Sequence, residues 1–118
     1  MAIGDDIFGI HGKALELRSQ RLGLLASNIA NASTPGFKAR DIDFNQALNA
    51  AVQSGATPDT AAEGSMLYRV PLQASLDGNT VELSTEQTLF AENAVQYQTS
   101  LSFLNGRINT LTRALKGE

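Results

Sequence analysis

Apolar residues recur three or four positions apart near both ends of this 118-residue chain and lose that rhythm in the middle. On the N-terminal side, Ile7, Ile10, Ala14, Leu17 and Leu24 form one row. Leu15, Leu22, Leu25, Ile29 and Ala32 form a second row on an adjoining face. Together they make a wide apolar stripe, which predicts an amphipathic helix over about residues 5–33. Gly9, Gly12 and Gly23 each weaken such a helix by up to ~1 kcal/mol relative to Ala. In isolation it would be marginal, so the stripe needs a partner.

The C-terminal pattern is stricter. Phe90, Ala94, Tyr97, Leu101, Leu104, Ile108, Leu111 and Leu115 alternate spacings of four and three. This 3.5-residue repeat is the signature of a coiled-coil seam. Ser84-Thr85-Glu86-Gln87 fits a capping box with Ser84 as N-cap, and Gly117 supplies a stop. A helix over residues 84–116 would be roughly 50 Å long, too long for a compact ball of this chain length.

Between the two lies Ala-, Gln-, Ser-, Thr- and Gly-rich sequence. It includes Ser54-Gly55-Ala56-Thr57-Pro58-Asp59 and Ala61-Ala62-Glu63-Gly64-Ser65. Residues 50–65 read as flexible. Leu67 to Leu76 and Thr80 to Leu83 flank Asp77-Gly78-Asn79, a turn signal that predicts a small hairpin, with Pro71 confining the first arm to an edge. The expected fold is therefore mainly α. Two long terminal helices form a coiled-coil-like pair, joined by a flexible middle with a small hairpin. One domain spans residues 1–118, divided at 1–34, 35–83 and 84–116. The stripes can pair within one subunit or with neighbouring subunits, and the continuity of the seam favours both at once.

Composition narrows the chemistry. The chain has no Cys, which excludes disulfides and thiolate metal sites. A net charge of −3 argues against a general nucleic-acid binder. The start, Met-Ala-Ile-Gly-Asp-Asp, carries acids where a cationic signal region would sit, and no apolar run reaches the roughly 20 residues of a membrane helix. His11 is the only His, so neither a zinc site nor a Ser-His-Asp triad can be assembled around it. Asp41-Ile42-Asp43-Phe44-Asn45 resembles the start of a calcium loop. Gln46 and Val52 stand where such a loop needs Gly and Glu, so the acids read as a solvated turn that pairs with Arg40. Arg18 and Arg21 read as a solvated face or as intersubunit ion pairs. Asn31-Ala32-Ser33 matches a glycosylation sequon with no secretory signal beside it. No cofactor and no enzymatic activity are expected.

The segment Leu25 to Arg40 carries the most specific information. An apolar-periodic helix ends in an Asn-rich break, turns at Pro35-Gly36, and leaves with Phe37, Lys38 and Arg40. Asn28 and Asn31 share one helix face, where their amides can satisfy terminal carbonyls or bond to a neighbour. Pro35 pushes Thr34 out of helical geometry, Gly36 permits the positive φ of a type II turn, and Phe37 is an apolar peg. This is a structural joint, not a catalytic pocket.

The run Leu-Ala-Ser-Asn-Ile-Ala-Asn-Ala-Ser-Thr-Pro-Gly-Phe-Lys-Ala, Leu25 to Ala39, resembles the N-terminal signature of the flagellar rod and hook proteins. The continuation Arg40-Asp41-Ile42-Asp43-Phe44, the short length, the Asp-Gly-Asn-Thr-Val-Glu-Leu run from Asp77, and Asn93 with Tyr97 narrow the resemblance to the proximal rod type. It covers residues 10–44 and 76–116. It implies a structural subunit of the bacterial flagellar basal body, exported without a cleaved signal into the periplasmic rod. Such a subunit polymerises helically around the export channel and transmits torque. Implied partners are other copies, other rod proteins, the basal-body ring adaptor and the export gate. Asn28, Asn31, Thr34, Pro35, Gly36 and Phe37 are then the family joint, and the C-terminal seam is the assembly surface. Phe44 and Leu48, one helical turn apart, match an apolar pattern that export substrates present to the gate; packing of a short helix explains the same spacing. The alternatives are another short rod subunit or, in a different class, a soluble coiled-coil adaptor or export chaperone, in which the joint has no purpose.

Overall fold

Among the described residues six elements follow in order: α1 (Ile3–Ala30), β1 (Arg40–Ile42), α2 (Phe44–Gln53), α3 (Pro58–Gly64), β2 (Met66–Tyr68) and α4 (Leu83–Lys116). A computed structural model describes residues 3–71 and 75–117, with side-chain surroundings from residue 9 onward. The chain is mainly helical, as expected. It extends over 64 × 27 × 18 Å with a radius of gyration of 17.3 Å, where a compact chain of this length has about 13–14 Å.

Helices α1 and α4 set that shape by packing antiparallel. Asn28 meets Glu86, Arg18 meets Gln96, and the His11 ring lies 4.3 Å from that of Phe103. Helix α1 is broken at Gly9, whose φ of 54° and ψ of −132° are not helical. It ends at Ala30, slightly before the expected boundary, and turns occupy most of the next six residues. Helix α4 stops at Gly117 in the left-handed conformation (φ 77°), whose N–H returns to the carbonyls of Arg113 and Ala114, the expected stop. Its N-terminus differs from expectation. The cap falls on Glu82, so Ser84 lies inside the first turn rather than capping it.

The middle also departs from expectation. The stretch expected to be loose carries α2 and α3, each with a side-chain cap: Asp43 accepts from the N–H of Gln46 and Thr57 from that of Thr60. Pro58 opens α3 at the position where its missing N–H costs nothing. Both helices roof α1 through small residues. Leu17, Ile42, Ala47, Ala51, Ala61 and Ala62 form one buried cluster, with Leu24, Phe44, Leu48, Ala50 and Ala56 packed against it. Alanines let the helices approach closely, and the same alanines gave the segment its low-complexity look. The expected hairpin is not formed among the described residues. Met66–Tyr68 pairs instead with Arg40–Ile42, antiparallel, in the register Arg40 to Tyr68 and Ile42 to Met66. Leu83 belongs to α4, while residues 72–74 of the first expected arm lie outside the described residues.

The expected seam is buried over only part of its length. Leu104 is buried, Phe90, Ala94, Tyr97 and Leu101 are half-buried, and Ile108, Leu111 and Leu115 are exposed. Glu86 and Asn93, one heptad apart, are the other buried residues of α4, so the inner position of the 93–94 turn goes to Asn93 rather than Ala94. No helix among the described residues is long and apolar enough to cross a membrane.

Candidate functional site

The joint begins where the last carbonyls of α1 run out of intrahelical donors. Asn31 donates its side-chain amide to the Ser27 carbonyl at 2.8 Å, and its own side-chain oxygen accepts from the Thr34 hydroxyl at 3.0 Å. Thr34-Pro35-Gly36-Phe37 is then a tight turn, with the Phe37 N–H on the Thr34 carbonyl at 3.2 Å and Gly36 at φ 75°. That positive φ is what the Pro-Gly pair supplies. Thr34, Pro35 and Gly36 are exposed, whereas Asn31 and Phe37 are half-buried.

A second turn grips the first. The side-chain amide of Asn79, itself buried, donates to the carbonyls of Asn31 (2.9 Å), Ala32 (3.1 Å) and Thr34 (2.8 Å). One side chain thus satisfies most of the carbonyls left over beyond the helix end. The Gly36 N–H reaches the Asp77 carbonyl at 2.8 Å, and the Thr80 N–H reaches the Phe37 carbonyl at 2.9 Å. Asp77 is held in place by the Ser75 hydroxyl and the Asn79 N–H, which keep its carboxyl below the usual carboxylate range.

Asn28 faces inward and is 1% exposed. Its amide donates to the Arg40 carbonyl at 2.7 Å and to Glu86 Oε2 at 3.0 Å, and its oxygen accepts the Arg40 N–H at 3.1 Å. It therefore binds the outgoing strand as a neighbouring strand would, and ties α4 to the same point. From there a buried ionic chain continues. Glu86 Oε1 pairs with Arg69 Nε at 2.9 Å, and Arg69 reaches Asp41 Oδ2 at 3.1 Å. Arg21 grips both Asp41 oxygens, at 2.8 and 2.9 Å. Burial alone would raise the Asp41 pKa. The Arg21 hydrogen bond, the Ile42 N–H and Arg69 outweigh it and hold the carboxyl below its ordinary value. Burial alone would lower that of Arg69, and Glu86 and Asp41 together hold it above its ordinary value. Charges on α1, β1, the end of β2 and α4 thus neutralise one another around the joint.

These contacts correct two expectations. Asp41 pairs with Arg21 and Arg69, not with Arg40, whose guanidinium lies 3.9 Å from the Met66 sulfur. Arg18 and Arg21 are neither a solvated face nor free for another subunit. Arg18 stacks 4.0 Å over the Phe44 ring and donates to Gln96 at 2.7 Å, and burial, then Arg21, lowers its pKa. Phe44 and Leu48 are half-buried packing residues in the folded chain. Asn93 donates to the Arg18 carbonyl at 2.9 Å, while its own oxygen and Arg18 Nε are buried and find no hydrogen-bond partner among the described residues.

Comparison with known proteins gives the class of this helix pair and its exit turn. Residues 8–38, the stretch from α1 through the joint, match the family model of flagella basal body rod proteins. Over 96% of its length the chain is 52% identical to the flagellar basal body rod protein FlgB of Cereibacter sphaeroides, covering 96% of that protein. It is 50% identical to the FlgB of Aeromonas hydrophila over 100% of this chain and 99% of the relative. With the FlgB of Escherichia coli K12 it shares 44% identity over 88% of each. The chain belongs to the flagellar basal body rod protein FlgB family and is a structural component of that rod.

Proposed function

We propose that this chain polymerises helically in the proximal rod, with its terminal helices packed around the export channel and its joint turning the chain outward toward neighbouring subunits. One observation carries the reading: the apolar 3.5-residue seam of α4 outlasts its partner. Ile108, Leu111 and Leu115 continue the repeat while residues 105–117 are exposed, and unpaired heptads of this kind are completed by other helices. A contact that joins different faces of successive subunits does not close, and it generates a filament. The ionic chain from Arg21 to Glu86 makes the joint stiff enough to pass torque from one subunit to the next. The ring adaptor and the export gate are the proposed partners at the base. Export through that gate, with no cleaved signal, delivers the chain to the periplasmic rod. Phe44 and Leu48 serve as the gate pattern in the unfolded chain and as packing residues after folding. Secretion of Phe44→Ala at the normal level would remove that role.

The test of assembly is Leu111→Lys in a strain whose own gene has been removed. The variant should be secreted as well as the parent chain and should restore no swimming. Full restoration of swimming would contradict the proposed seam.

A further inference from the structure

The outer side of α3 and the free end of α4 carry opposite charge, and neither is neutralised within the chain. No Lys or Arg occurs between Arg40 and Arg69, and no Asp or Glu between Glu92 and Gly117. Asp59 and Glu63 are exposed one turn apart on α3, and Arg107, Arg113 and Lys116 are exposed on α4. Among the described residues none of the five has an ion-pair partner, and Asp59 accepts from the neutral Gln20 amide at 2.6 Å. The two acids border an apolar groove of about 420 Å³ between α1 and α3, where Leu24, Ile42, Ala62 and Met66 supply the apolar lining. Gly23 also lines it, inside α1, where a glycine costs helix stability. A Cβ there would meet nothing within 4 Å, so nothing else in this chain fills the space that the glycine leaves.

The end of α4 matches this groove in shape and charge. Leu111 and Leu115 lie one turn apart on one face, and Leu115 is 89% exposed. Helical spacing puts Arg107 and Lys116 on either side of them. The two surfaces do not meet in one molecule. Arg18 beside Gln96 and His11 beside Phe103 set a register that brings Gln20, at the groove, level with position 94 of α4. Lys116 lies roughly 30 Å of helix beyond that point.

We propose that the groove is a socket for the end of α4 from a second copy of this chain. Leu111 and Leu115 enter over Gly23, and Arg107 and Lys116 pair with Asp59 and Glu63. The contact joins two different faces, so it repeats from copy to copy without closing. It rests on the reading that other subunits complete the α4 seam, and it names the surface that receives that seam.

The native charges permit a direct test. Full-length chain, mixed in equal parts with isotope-labelled chain and concentrated, is treated with a carbodiimide, which couples an amine to a carboxylate that touches it. The socket predicts Lys116 joined to Asp59 or Glu63 in peptides that combine labelled with unlabelled chain. Gly23→Leu fills the groove from within and favours the helix, so its thermal midpoint should equal or exceed the parent's. It should cut the mixed link roughly tenfold, because a leucine kept out of the groove forfeits its burial. Arg107→Glu, at an exposed position, should also cut the link and serves as the second variant should Gly23→Leu disturb folding. No mixed link in the parent chain, or a yield indifferent to both variants, would overturn the socket. Lys116 coupled only to other acids of the second copy would overturn it too, and would assign the end of α4 to another face. Swimming separates this inference from the reading it rests on. If Leu111→Lys abolishes swimming and Gly23→Leu leaves it intact, the socket falls and the seam stands; if Leu111→Lys swims normally, both fall.

Discussion

Asn28 holds Arg40 by both of its main-chain polar groups, the carbonyl at 2.7 Å and the N–H at 3.1 Å, across the twelve-residue span that contains the Pro-Gly joint. A helix side chain thereby fixes where the outgoing strand begins. The same amide also bonds Glu86, so the angle of the joint and the position of α4 are set at one point. Replacing Asn28 with Ala leaves the Arg40 main chain and a glutamate oxygen short of partners in a buried place. Such losses cost about 1–3 kcal/mol for each group stranded. Urea unfolding of Asn28→Ala should show a loss of at least about 2 kcal/mol, whereas Asn31→Ala, a half-buried residue at the same helix end, should cost about 1 kcal/mol.

Glu86 is fully buried, and Arg69 is its charged partner at 2.9 Å. Breaking a buried pair by removing one side strands the other charge, at about 3–5 kcal/mol. Arg69 retains Asp41 and some solvent access, so Glu86→Leu should fall at the low end of that range. The double variant Arg69→Met/Glu86→Leu should be less destabilised than the sum of its single variants. A double-mutant cycle by chemical denaturation checks the sign of the coupling.

Asp41 gives the fold a defined acid limit. Its folded pKa lies below its ordinary value of 3.8, so the unfolded chain binds this proton more readily than the folded one. The resulting stability is fully present above about pH 5 and is lost as pH falls through the folded pKa. The urea midpoint should therefore be flat from pH 7 to about pH 5 and decline below about pH 4. Asp41→Asn should be less stable at pH 7 and should show a shallower decline in acid.

Much of this was legible in the sequence because period and turn chemistry are local. The two terminal helices, the Pro35-Gly36 turn and the Gly117 stop each depend on residues a few positions apart, and each is found. What escaped was set by contacts distant in sequence. Nothing in the Ser84–Gln87 run marks Glu86 as special, and only the meeting of α1, α4 and the end of β2 makes it a buried counter-ion. Asn79 reads as part of a hairpin turn, yet its amide serves the end of a helix more than forty residues away. Asp43 and Thr57-Pro58 were visible cap signals for α2 and α3. Their Ala- and Thr-rich surroundings masked them, because the periodicity of a small-residue helix is faint. Asn93 displaced Ala94 from the inner position, which apolar spacing alone does not anticipate. A buried asparagine on a helix seam fixes register at some expense of stability, consistent with its unpartnered oxygen.

The account's central claim is that this chain is an indispensable structural piece of the flagellar rod. Removing its gene and examining the basal bodies by electron microscopy measures that directly. Cells without it should form the membrane ring, build no rod above it and fail to swim, and the gene restored in trans should recover both. Cells that lack the gene yet assemble complete rods and swim would contradict the claim.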